Sequence, residues 1–319
     1  MINLIRGELY RYYHKKIFWI ILGASLISGI VFGLSVTGFG TGGYFDRGTF
    51  DDMFLVPATV ILCIFISLTI GREYSDGVIR NKLIQGKSRL QIYGAKISVS
   101  IGISMMVSIL FLIGFSIISL KNVLLYLNGG ILLRAGLSFL FMNIVWATLF
   151  TIISINIPHK EIGGILNIAL IIVIMFGSYQ VEFILGQPKF IQETSVETIE
   201  MTPDEVLQIK DGTFEGSYAW EEDDNGVLTY YKTVENRGEK KLNSSYVSGS
   251  LRNVIELIDN TLPHGQINQY TSYLQCCLYS DDPTIIDTND ILWFPLYSVG
   301  FTVVLIVFGV LVFHKKEFK

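Results

Sequence analysis

The chain has 319 residues, 50% of them hydrophobic and 16% charged, with a formal net charge of −4 and a mean hydropathy of +0.48. Soluble domains carry about 25% charged residues, so this composition excludes an ordinary soluble fold and points to a membrane protein. A span needs about 20 consecutive apolar residues, and six runs reach or approach that length: 17–37, 53–71, 97–120, 131–157, 162–181 and 291–313. None carries a charge near its middle, and Arg134 lies near one end of the fourth, where a long side chain can snorkel to the headgroups.

In chain order, the first element is MINLIRGELYRYYHKK, residues 1–16. Ile2, Ile5, Leu9 and Tyr12 or Tyr13 recur at helical spacing, with Arg6, Lys15 and Lys16 elsewhere. This predicts a short basic amphipathic helix lying on the inner membrane surface; an ordinary positive flank is the plainer alternative. The run 17–37 is longer than a secretory core and lacks a clear cleavage site, so it reads as a retained first span. Within it Ser25, Gly29 and Gly33 form a small-residue stripe at four-residue spacing, suited to close helix contact. Gly38, Gly40 and Gly43 satisfy G-x-G-x-x-G, but no strand precedes them and no βαβ unit follows, which leaves a flexible turn. Cys63, alone in the second run, reads as a packing residue.

Between the second and third runs lies a basic segment, 72–96, with Val78, Ile79, Leu83 and Ile84 set among Arg80, Lys82, Lys87 and Arg89. Its Gly86-Lys87-Ser88 imitates the end of a nucleotide-binding loop. A complete loop would need glycine at position 81, which is Asn81, and a preceding buried strand. Two readings remain: a solvated loop touching anionic lipid, or a docking helix with an apolar ridge and a basic rim. Fourteen Lys and Arg residues fall on this segment and those on its side of the membrane, and three (Arg47, Lys121, Arg134) on the opposite short loops. The positive-inside rule then puts the fourteen, and both termini, in the cytoplasm.

Residues 182–290 separate the last two runs and hold 20 acidic and 7 basic residues. Long domains translocate largely regardless of charge, so their acidity does not oppose this topology. TPDEVLQIKDG reads as a helix capped by Thr202 with Pro203 early and Gly212 as a stop; GVLTYYKTVE reads as a strand; SSYVSGSLRNVIELIDNTLP reads as a helix ended by Pro263. The segment is thus expected to be a small mixed α/β domain. Asn243 opens an N-S-S pattern, and Cys276 and Cys277 are adjacent. There is no C-x-x-C pair, and His14, His159, His264 and His314 are scattered with no H-E-x-x-H. No nucleophile and base stand together, which leaves a membrane-embedded enzyme without support. Absent midplane charges argue against coupling to protons or sodium.

EYSDGVIRNKL followed by GKSRLQIYGAK resembles the cytoplasmic segment between spans two and three of the type-2 ABC transporter permeases. Glu73, Gly77, Ile79, Arg80, Leu83, Ser88, Arg89 and Lys96 match that pattern, while Val78 stands where the family often has threonine. The amphipathic start with Glu8, the six spans and the end VFHKKEFK are similar to the same family, and LPHGQINQY looks like permeases of low-GC Gram-positive bacteria. The resemblance implies an all-α membrane domain of six transmembrane helices with both termini cytoplasmic, plus the small mixed α/β extracytoplasmic domain between spans five and six. The expected parts are an amphipathic helix (1–16), spans one to five (17–181), the external domain (182–290) and the sixth span with its tail (291–319). It further implies two copies of a separate ABC ATPase holding ATP and magnesium, docked on Glu73, Gly77, Ile79, Arg80, Leu83, Ser88 and Arg89. A second permease, identical or homologous, is implied, with no cofactor in this chain and no nucleic-acid partner. The expected setting is the plasma membrane of a Gram-positive bacterium, and the expected activity is export of antimicrobial peptides, antibiotics or other amphipathic substrates. The rival class is a non-transporting sensor whose external domain binds a ligand.

Overall fold

The computed structural model describes residues 2–36, 56–126, 129–157, 159–211, 218–222, 228–266, 269 and 289–315. Gly38, Gly40, Gly43, Cys276 and Cys277 lie outside these residues. The helices are α1 (Ile2–Tyr13), α2 (Lys16–Val36), α3 (Val56–Ser75), α4 (Val78–Ile84), α5 (Arg89–Tyr126), α6 (Gly129–Asn156), α7 (Lys160–Leu185), α8 (Pro203–Lys210), α9 (Ser250–Thr261) and α10 (Asn289–Lys315). The strands are β1 (Phe190–Glu200), β2 (Tyr218–Glu222) and β3 (Leu228–Leu242).

Within the described residues each of the six apolar runs is helical, as an apolar segment in lipid must be to satisfy its own backbone. Five of them (in α2, α5, α6, α7 and α10) are long and apolar enough to cross a membrane singly. Within the described residues α3 reaches that standard only when joined to α4 across a 52° bend. The start of the expected second span, 53–55, lies outside the described residues.

The helical unit comprises residues 1–183 and 250–319. At its centre stands α6, whose Phe139, Met142, Val145, Trp146, Phe150 and Ile155 are buried against α3, α5 and α10. By contrast α7 and α10 turn much of their apolar surface outward, including Phe176 and Val304, as helices bathed in lipid do. Asn167 ties α7 inward, its Nδ2 donating to Ser67 Oγ at 2.8 Å and to Ser154 Oγ at 3.0 Å.

The most intimate pair is α2 with α5. A Cβ on Gly29 would overlap the Phe111 carbonyl, one on Gly114 would overlap the Leu26 carbonyl, and one on Gly33 would sit 3.0 Å from the Phe115 oxygen. Ser25 Oγ donates to the Val107 carbonyl at 2.5 Å. Ser25, Gly29 and Gly33 therefore lie along the α2 face on which α5 rests, and only glycine at 29 and 114 lets the two backbones come so near.

The second unit is residues 184–249. It is shorter than the 182–290 interval between apolar runs because α9 packs on α10 and belongs to the helical unit. Its core is an antiparallel three-stranded sheet of order β1-β3-β2. Here α8 starts with a reciprocal capping box, in which Thr202 and Glu205 serve each other's end of the first turn. Lys232 of β3 pairs with Glu205, and this contact with the Thr202 backbone amide holds the Glu205 carboxyl down at about 2. Asn243 is buried, with Nδ2 donating to the Pro188 carbonyl at 3.0 Å and Oδ1 accepting from the Ser245 amide at 2.9 Å. Its amide is thus a structural tie at the base of the sheet.

Candidate functional site

The unusual chemistry of the helical unit lies where α1, α3, α4 and α5 meet. Two carboxylates, three cations and a phenol are gathered there: Glu8, Arg11 and Tyr12 from α1, Glu73 from α3, Lys82 from α4 and Lys96 from α5. Glu8, Glu73, Lys96 and Tyr12 are buried.

Local geometry brings them together. In α1, Glu8, Arg11 and Tyr12 are spaced i, i+3, i+4 and so share one face. At the end of α3 the chain passes through Gly77, whose φ of +69° favours glycine, and α4 leaves this turn at 52° to α3 with Lys82 against the α1 carboxylate Glu8. A second left-handed glycine, Gly86 at φ +81°, ends α4. Ser88 then caps α5: its Oγ accepts from the Gln91 amide at 3.2 Å, and Gln91 Oε1 accepts from the Ser88 amide at 3.3 Å. Lys96 lies two turns further on.

Lys96 is the hub. Its ammonium donates to Glu8 Oε2 at 2.7 Å, to Glu73 Oε2, and to Tyr12 Oη at 3.2 Å. An ammonium has three protons, and all three are used. Tyr12 Oη in turn donates to Glu73 Oε1 at 3.0 Å. Lys82 pairs with Glu8 and stands 3.5 Å from Glu73, and Arg11 pairs with Glu8 and stands 3.2 Å from Glu73. Every carboxylate oxygen thus has a cation or a phenol against it, the condition under which buried charge is tolerable.

The electrostatics follow. Burial pushes the Glu8 carboxyl up, but the charges and hydrogen bonds of Lys96 and Lys82 outweigh it and hold the group at about 2. Burial pulls Arg11 down, yet the neighbouring Glu73 and Glu8 carboxylates carry it above its ordinary value. Burial and the same two carboxylates raise the Tyr12 phenol well above the usual range, so it stays a neutral donor.

The structure distributes the sequence-predicted docking residues over distinct roles. Glu73 sits in the ion cluster, Gly77 makes the turn, Ser88 caps α5, and Arg89 Nη1 donates to the His314 carbonyl of α10 at 2.7 Å. Ile79 departs from the outward ridge that the sequence pattern suggests: it is 2% exposed and joins the bundle core, and Leu83 packs beside it. The apolar residue that α4 turns outward is Ile84, 74% exposed, on the same side as the exposed Arg80, with Lys87 exposed just beyond. Arg80 therefore faces away from the cluster, and Lys82 supplies the cation that enters it. The sequence pattern put Tyr12 only on the apolar side of the first helix and Lys82 only in the basic rim, gave Arg11 no site, and joined none of the three to Glu8 or Glu73. A usable signal was present, in that an acid stands on the apolar-periodic α1 and a second acid and a lysine adjoin apolar runs.

Residues 4–179, more than half of the chain, match the family described as ABC-2 family transporter protein. The chain belongs to that family, and is a multi-pass membrane permease subunit of the kind that works with a partner ABC ATPase. No curated protein matches the chain. The matched residues contain the whole ion cluster, while the 184–249 unit and α10 lie beyond them.

Proposed function

We propose that this permease belongs to an ATP-driven exporter of antimicrobial peptides, antibiotics or other amphipathic substrates, and that α4 is where its ATPase pushes. The observation that carries the coupling role is the ion cluster, which fastens a seven-residue helix to α1, α3 and α5 at once. In this reading two permeases, identical or homologous, engage two ATPase subunits. ATP and magnesium reside in those subunits, and the present chain holds neither. The 72–96 segment and both termini face the cytoplasm and the 184–249 unit faces outward, across the plasma membrane of a Gram-positive cell. Of the family-matched residues, Arg80 faces the ATPase together with Ile84 and Lys87, while Glu73, Gly77, Ile79, Leu83, Ser88 and Arg89 hold the docking surface in place.

The test separates these two roles. Arg80→Glu with Ile84→Glu changes only the exposed side of α4. It should leave the chain folded in detergent, abolish co-purification of the ATPase, and stop ATP-driven transport. Ile79→Ala should instead lower thermal stability by about 2–5 kcal/mol. Assembly and transport at wild-type level in the Arg80/Ile84 double variant would end the docking assignment. The permease purified without partner should show no saturable ATP binding.

A further inference from the structure

The 184–249 unit carries an exposed aromatic face that nothing in the export reading requires. Sheet register places its residues: Lys232 of β3 lies opposite Ile199 of β1 and Tyr218 of β2, and Tyr230 lies opposite Trp220. Side chains of paired residues share a face, so Ile199, Tyr218, Trp220, Tyr230 and Lys232 stand together. Tyr218 and Tyr230 have ring centroids 6.2 Å apart. Trp220 is 58% and Tyr218 47% exposed, with Ile199 and Leu228 also open.

Charge decides what can cover such a face. The unit has 13 acidic and 6 basic residues, a net of −7. A second copy would bring −7 against −7. An anionic lipid surface would be repelled in the same way. A partner suited to both features is cationic and carries apolar side chains of its own. In the three-stranded order β2 is an edge strand, and an extended peptide can align along such an edge while its alternate side chains reach one face.

We propose that the sheet of residues 184–249 is a capture site for cationic amphipathic peptides, with Tyr218, Trp220, Tyr230 and Ile199 receiving the apolar side chains and the acidic surroundings, including Glu197 and Glu221, drawing in the basic ones. Capture rests on the export reading only for the fate of the peptide, and binding tests it separately from transport.

The full chain is placed in phosphatidylcholine nanodiscs, with empty discs as reference. It is titrated with a fluorescein-labelled peptide of alternating lysine and leucine, and with the glutamate–leucine counterpart. Saturable binding of the lysine peptide alone is expected. Tyr218→Ser with Trp220→Ser, at exposed positions, should weaken it at least about tenfold. Glu197→Lys with Glu221→Lys, which leaves Ile199, Tyr218, Trp220 and Tyr230 in place, should weaken it comparably and reduce its salt dependence. Wild-type affinity in either double variant, or equal binding of the glutamate peptide, overturns the site. In the reconstituted complex with its ATPase, unchanged peptide transport by the Tyr218/Trp220 variant also overturns capture and leaves export standing. Binding without any transport leaves the capture site standing and overturns peptide export.

Discussion

Removal of the Glu73 charge is the sharpest test of the ion cluster, because the count of charges fixes the order of the outcomes. The wild-type cluster holds Arg11, Lys82 and Lys96 against Glu8 and Glu73, one cation in excess. Glu73→Gln raises the excess to two and leaves the buried Lys96 with a single carboxylate, Glu8 at 2.7 Å. Losing one member of a buried pair costs on the order of 3–5 kcal/mol, mostly from the uncompensated charge left behind. Lys96→Met removes the hub but leaves two cations facing two carboxylates, with Arg11 3.2 Å and Lys82 3.5 Å from Glu73 and Tyr12 still donating to it. Its cost should be smaller, about 1–3 kcal/mol for the hydrogen bonds lost. Combining Glu73→Gln with Lys96→Met restores an excess of one, so the double variant should be more stable than Glu73→Gln alone. Thermal unfolding of the purified permease in one detergent, followed by loss of the monodisperse species, ranks the three. Additive losses in the double variant, or Lys96→Met unfolding before Glu73→Gln, would refute the charge argument.

Three other outcomes are expected. Gly29→Ala and Gly114→Ala each force a methyl into a facing carbonyl and should destabilise the bundle by at least about 1–3 kcal/mol, whereas Gly23→Ala, with nothing within 4 Å of its Cβ position, should be tolerated; equal melting of all three would remove the close-contact account. The Glu8 carboxyl, held at about 2 against an ordinary 4.5, stabilises the fold above its unfolded value, and that contribution is lost as pH falls from about 4.5 towards 2. Glu8→Gln should therefore flatten the acid limb of a stability–pH profile between those values, and an unchanged slope would count against the assignment. Gly77→Ala should strain the left-handed turn at φ +69°, shifting α4 and weakening ATPase association; undiminished co-purification would show that the turn tolerates a side chain.

The long helices were legible because an apolar run of some 20 residues has few folded alternatives. The α8 start was legible for a local reason, since Thr202, Pro203 and Glu205 fall within one turn. What stayed hidden depended on tertiary placement. Glu8, Glu73, Lys82 and Lys96 lie on four helices, and periodicity relates only neighbours on one. The orientation of α4 was ambiguous for a geometric reason. At about 100° per residue, Ile79 and Leu83 fall about 40° apart, while Ile79 and Ile84 fall about 140° apart. A short helix with four apolar residues thus has two apolar sides, and only the cluster selects one: with Lys82 directed at Glu8, Ile79 must turn inward and Ile84 outward. The aromatic sheet face was hidden likewise, because strand register, not composition, puts Tyr218, Trp220 and Tyr230 side by side.

The same geometry explains how so short a helix could pass on a push. A helix of seven residues is far below the roughly 12–15 needed for stability alone, and glycines at both of its ends give it no stiff continuation. Whatever rigidity α4 has comes from its neighbours: Ile79 and Leu83 in the core, and Lys82 on Glu8. Through Glu8 and Lys96 the connection runs to α1 and α5, and through Glu73 to α3. It continues from α5 to α2, because Gly29 and Gly114 bring those backbones into direct contact and Ser25 is bonded to the Val107 carbonyl. It reaches α10 through Arg89 and the His314 carbonyl. Closely packed helices joined by buried ion pairs shift as bodies rather than bend one by one. A force on the Arg80–Ile84 side of α4 is then borne by α1, α2, α3, α5 and α10 together, which is what a permease needs if energy released in a separate ATPase is to rearrange its membrane helices.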